Sequence, residues 1–158
     1  MISRHTWVTL RDMPRPLRLL LALIGCTAIL GLATPTAAPA ASWGEKRLIA
    51  KINDARAAYG LRRLHLASRL NQGAHDWAAH LLRADSFSHA RLAAGTGEIL
   101  AWGTCNWVTP RRAVRMWLAS ASHRPILLRS GFRYVGAGWV KGRWRGYSCV
   151  KMAVARFR

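Results

Sequence analysis

His89, Glu98 and His123 are the residues of this chain best suited to chemistry. They lie in Phe87-Ser88-His89, Gly97-Glu98-Ile99-Leu100-Ala101-Trp102-Gly103 and Ser120-Ala121-Ser122-His123-Arg124. The chain has only six acidic residues, so a glutamate between two such histidines stands out. Two imidazole nitrogens and a carboxylate can hold zinc and leave a position for water. The same groups can also exchange a proton without a metal. Spacing leaves both open, because there is no His-Glu-x-x-His pattern and three polar residues in separate segments are more often unconnected than joined.

A nucleophilic site reads less well. Ser88 adjoins His89 and Ser122 adjoins His123, and sequence neighbours seldom reach serine–histidine geometry. His65 falls in a linker, while His75 and His80 lie beside the apolar stripe of a helix, where a surface or satisfied environment is expected rather than ligation.

Ser42-Trp43-Gly44-Glu45 has capping-box spacing, and Leu48, Ile52, Ala55 and Tyr59 recur at helical intervals until Gly60. After the linker Leu61–Leu66, the residues Leu70, Ala74, Trp77, Ala78 and Leu81 mark a second helix ending near Ala84-Asp85. Between Phe87 and Thr109 the helical period is lost, and loops with a short strand over Glu98–Trp102 are expected. Thr109-Pro110 then starts a third helix, with Val114, Trp117 and Leu118 on its buried face and its end near Ser120. Arg111 and Arg112 in its first turn oppose the helix dipole. Tyr134–Val140 and Trp144–Val154 read as two strands joined across Lys141-Gly142-Arg143. Helices first and paired strands last predict an α+β domain with an antiparallel sheet. Trp77 and Trp117 are expected in the core; Trp107 and Trp144 lie near predicted loops, where a ligand groove is conceivable and packing is the expected role.

Residues 1–40 read as a signal peptide or membrane-targeting segment, and 41–158 as the folded domain. Arg4, Arg11, Arg15 and Arg18 precede an apolar run from Leu19 to Ala33, and Ala38-Pro39-Ala40 supplies a small-residue cleavage site. The run is shorter than the roughly 20 residues of a membrane span. Leu23-Ile24-Gly25-Cys26 has the form of a lipoprotein processing site, so anchoring through Cys26 is a minor alternative to secretion. After cleavage, Cys105 and Cys149 remain as an even pair in an oxidising compartment, where a disulfide is the default and two separate thiols the alternative. Cleavage leaves 21 basic side chains against five acidic ones, a net charge of +16. Such a surface attracts polyanions in a salt-sensitive way. An exported protein meets anionic envelope polymers and lipid headgroups first, so nucleic acid is not expected as the physiological partner. The arginines are scattered, and solubility alone is the alternative role for the charge.

Taken in order, the segments from Leu48 to Val140 resemble the CAP superfamily of cysteine-rich secretory, antigen and pathogenesis-related proteins, above all its bacterial secreted, SCP-like members. The matching pieces are Ile52-Asn53-Asp54-Ala55-Arg56, Phe87-Ser88-His89, Gly97-Glu98 with Ala101-Trp102-Gly103, Trp117 with Ser120 and His123-Arg124, Leu127-Leu128, and Gly131-Phe132 leading to Val135-Gly136-Ala137-Gly138. The resemblance implies an α-β-α sandwich with a central antiparallel sheet and a cleft of two histidines and two acids that can bind zinc. His89, Glu98 and His123 match three of those positions. Ser120 stands where the fourth acid is found, and Ile99 where relatives carry asparagine. A neutral hydroxyl is a poorer partner for a cation than a carboxylate, so zinc through His89 and His123 is a candidate and no cofactor is required. The expected function is that of an exported, monomeric, non-enzymatic binding module. The alternatives are a hydrolase using metal-bound or glutamate-activated water, and a purely structural cleft.

Overall fold

The computed structural model describes residues 40–158; the segment expected to act as a signal, with Cys26, lies outside the described residues. The elements are α1 (Trp43–Ala58), β1 (His65–Leu66), α2 (Ser68–Arg83), β2 (Gly97–Thr104), α3 (Pro110–Ala119), α4 (Arg124–Leu127), β3 (Tyr134–Trp144) and β4 (Tyr147–Phe157). One four-stranded sheet runs β1-β3-β4-β2. Its three long strands are antiparallel, and only the two-residue edge strand β1 is parallel to its neighbour.

Strand β4 lies inside the sheet and is apolar on both sides. Ala153, Ala155 and Phe157 point into a core with α1 and α3, while Val150, Met152 and Val154 point into a second core with α2. This period-two division makes three layers, helices on either side of the sheet. On the α2 side the helix backbone comes very close to β3: a Cβ at Gly136 would stand 2.1 Å from the Asn71 amide nitrogen, and one at Gly138 would stand 2.2 Å from the Ala74 carbonyl oxygen. Only glycine permits that approach.

The capping box of α1 forms as its spacing predicts, with Glu45 N–H donating to Ser42 Oγ and Ser42 N–H donating to Glu45 Oε2. Thr109 caps α3 through the Arg112 amide, with Pro110 in the first turn. Trp117 is buried in the core and its indole N–H donates to the Leu100 carbonyl at 2.8 Å, tying α3 to β2. Cys105 and Cys149 form the disulfide. In the chain-entropy model a loop of 44 residues corresponds to about 4 kcal/mol.

Three expectations are corrected. The β3–β4 hairpin turns at Arg145-Gly146, both with positive φ (45° and 80°), a pair that suits a two-residue connection. Lys141-Gly142-Arg143 lies within β3, where the register shifts between Gly142 and Trp144. A glycine in a strand marked an irregularity of pairing, not the turn. His65 leaves its linker to pair with Tyr134 in β1. Trp77 is only partly buried, short of the core place expected for it, while Trp144, 3% exposed in the α2-side core, packs as expected.

Candidate functional site

Glu98 is the centre of the site. It lies in β2 directly opposite Arg156 of β4, and alternation along both strands turns the two side chains to the α2 face. The Arg156 Nε donates to Glu98 Oε2 at 2.8 Å. Gly73 of α2 makes room for that guanidinium, since a Cβ there would approach Nη1 to 2.6 Å. Glu98 Oε1 accepts from the Ala90 amide at 2.9 Å and meets His89 Nδ1 at 3.0 Å. The carboxylate is 2% exposed in its side chain, and each of its oxygens has a partner. A buried carboxylate without such partners would be costly.

The loop bearing His89 has two anchors. Glu98 holds the Ala90 amide, and Trp77 Nε1 donates to the Ser88 carbonyl at 3.0 Å. His89 itself stays 56% exposed. His123 reaches it from the other side as the N-cap residue of α4, with ring centroids 6.2 Å apart and a 54° tilt. The Arg56 guanidinium fixes α4 from beneath, donating to the carbonyls of Leu127 and Arg129 at 2.8 and 3.1 Å. Burial, and then the neighbouring His89, lower the pKa of His123 below its ordinary 6.5. Ser120 ends α3; its hydroxyl faces Ser122 Oγ at 3.1 Å and the His123 amide at 3.4 Å, so it shapes the turn that carries His123.

The structure therefore brings His89, Glu98 and His123 together, with Ser120 attached through the backbone. Sequence reading missed Arg156. Its signal was present: in Met152-Ala153-Val154-Ala155-Arg156-Phe157 the alternation places a cation on a face that is otherwise apolar, where it needs an acid. Sequence reading also missed a second buried glutamate pair. Glu45 Oε1 lies 2.7 Å from His75 Nδ1, while Asn71 and the Ser42 amide donate to Oε2.

The chemistry of the donors can be compared with what zinc requires. A carboxylate behind His89 Nδ1 orients the ring and leaves Nε2 for a cation, and His123 supplies a second imidazole. Catalytic zinc sites use three protein ligands. Glu98 stands behind His89, bound to a guanidinium, and Ser120 is committed to its turn, so a third ligand is wanting. Among the described residues no group of three or more His, Cys, Asp or Glu is arranged to hold a metal. The residues fit at most a cation contacted by two imidazoles.

A search of curated proteins finds no match. Among solved structures, an outer surface protein of Borrelia burgdorferi superposes with a TM-score of 0.59 at 23% identity, covering 71% of this chain and 89% of that one. An extracellular SCP-domain protein of Bacillus anthracis gives 0.59 at 19% identity, covering 72% of this chain and 39% of that one. Venom allergen-like protein 4 of Schistosoma mansoni gives 0.58 at 14% identity, covering 73% and 88%. These likenesses establish the fold. The profile of the cysteine-rich secretory protein family, CAP, matches residues 49–154, a span that begins in α1, ends in β4 and holds the whole trio, and the chain belongs to that family.

Proposed function

We propose that this CAP domain is an exported, non-enzymatic module, monomeric, that binds anionic polymers or lipid headgroups at the cell envelope or outside the cell. The basic surface provides affinity and the His89–His123 surface provides selection. The observation that carries this reading is the state of Glu98. A general base needs an oxygen free to face its water. Glu98 has one oxygen on Arg156 and the other on His89 and the Ala90 amide. It is an orienting group for His89, and the exposed imidazole beside it is open to solvent, without the water exclusion that strengthens catalytic electrostatics. The relatives' descriptions as outer surface and extracellular proteins support the location.

Zinc is secondary in this proposal. With two imidazoles and no third ligand, calorimetry with zinc should give weak heats that vanish in both His89→Ala and His123→Ala. Turnover of peptide or ester substrates that disappears in His89→Ala, His123→Ala and Glu98→Gln alike would replace the binding module with a hydrolase.

A further inference from the structure

We propose that the cavity between the N-terminal ends of α1 and α3 is a subsite for an anionic saccharide unit, a sugar ring carrying carboxylate, phosphate or sulfate. This rests on the envelope-binding reading and gives it a location away from the histidine pair. The cavity measures about 500 Å³ and is lined by Trp43, Arg47, Lys51, Arg111, Trp139 and Lys151, with Thr109 and Pro110 completing the wall. That volume lies within the usual range for small-molecule sites.

Its lining contains four cations and no acid. Among the described residues, neither Arg47 nor Arg111 is within ion-pair distance of a carboxylate. Lys151 donates to the Cys105 carbonyl at 2.8 Å, a neutral partner. Lys51 is the exception, paired with Asp54 at 2.8 Å. Glu45 starts on the same helix, but its carboxylate is bound to His75, Asn71 and the Ser42 amide. Arg111 adds a positive charge in the first turn of α3, where the helix dipole favours acids and no acid is present. This gathering of like charge opposes folding locally, and a bound anion removes the cost.

The two indoles point to a ring. Trp43 is 73% exposed, with the Arg47 guanidinium 4.9 Å from its ring centroid. Trp139 lines the cavity because position 44 is glycine: a Cβ there would fall 2.4 Å from the indole Cδ1. A single-stranded nucleic acid is held by successive aromatic platforms along a basic groove. Here only Trp43 is widely exposed, which suits one charged ring and its neighbours better than a stacked strand.

Calorimetry and indole fluorescence on the protein with a sulfated uronate hexasaccharide, a neutral glucose hexasaccharide and a single-stranded hexanucleotide test the assignment. The sulfated saccharide should bind and perturb the indole emission, and the neutral one should not. Arg47→Glu with Arg111→Glu should weaken binding by about tenfold or more, whereas Arg83→Glu with Arg143→Glu, an equal change of net charge elsewhere, should cost about threefold or less. Trp43→Ala, at an exposed position, should also weaken it. Equal losses in the two charge-reversed proteins, unchanged affinity in Trp43→Ala, or tighter binding of the hexanucleotide would overturn the subsite while leaving envelope binding standing. A wild-type protein that binds neither the sulfated saccharide nor vesicles of anionic phospholipid would overturn both.

Discussion

Glu45 and Glu98 are two buried glutamates, each facing the Nδ1 of a histidine, at 2.7 and 3.0 Å, and each taking a backbone amide. They differ in the third partner and in what lies beyond. Asn71 completes Glu45 and also accepts from the Ala137 amide, so that network sews α1 and α2 to β3. Arg156 completes Glu98, and a second imidazole, His123, stands beyond His89. A buried glutamate–histidine pair is thus not a functional site in itself. The added guanidinium and the facing imidazole set the Glu98 region apart.

The largest expected effect separates the two regions by their third partner. Arg156→Met should cost about 3–5 kcal/mol in chemical denaturation, because it leaves a buried carboxylate without its cation. Asn71→Ala should cost about 1–3 kcal/mol, since it strands a buried amide and removes one donor to a carboxylate that keeps others. If the two losses are equal, the contrast between ionic and neutral completion fails.

Acid stability offers a second contrast. His123 has a folded pKa below its ordinary value, so the unfolded chain takes up that proton first, and stability falls as pH drops below about 6.5. For Glu45, burial alone would raise the pKa, but hydrogen bonds from His75, the Ser42 amide and Asn71 outweigh it and hold the carboxyl below its ordinary 4.5. Its stabilisation is complete above the unfolded value and is lost as pH falls through the folded one. Melting curves from neutral to acid should show two losses, the first reduced in His123→Ala and the second in Glu45→Gln. A single loss unchanged by either variant would contradict the assignment.

The smallest effects concern the exposed imidazoles. His75→Ala and His89→Ala should each cost no more than about 1 kcal/mol, as expected for partly exposed pairs. Their consequences should differ elsewhere. His89→Ala should raise the His123 pKa seen by NMR titration and alter ligand selection, and His75→Ala should do neither.

How far the sequence could be read followed the range of the interactions. Local signals were sufficient for the Ser42 and Thr109 caps, the helical period through Trp117 and the ends of α1 and α3. The trio was legible as residue types and through family resemblance. Arg156 was not, because its role depends on pairing opposite Glu98, a register that joins positions 58 residues apart. Glu45–His75 was hidden for the same reason, lying across 30 residues between two helices. The hairpin misled because Gly142 and Gly146 are both suitable for turns, and only the paired length of the strands places the reversal at Arg145-Gly146.

Partitioning of the protein between vesicles of anionic and of zwitterionic phospholipid, measured over a range of salt, tests envelope binding most directly. A strong preference for the anionic vesicles is expected at low salt, declining steadily as salt screens the basic surface. Equal partitioning into both, or binding unchanged by salt, would contradict it.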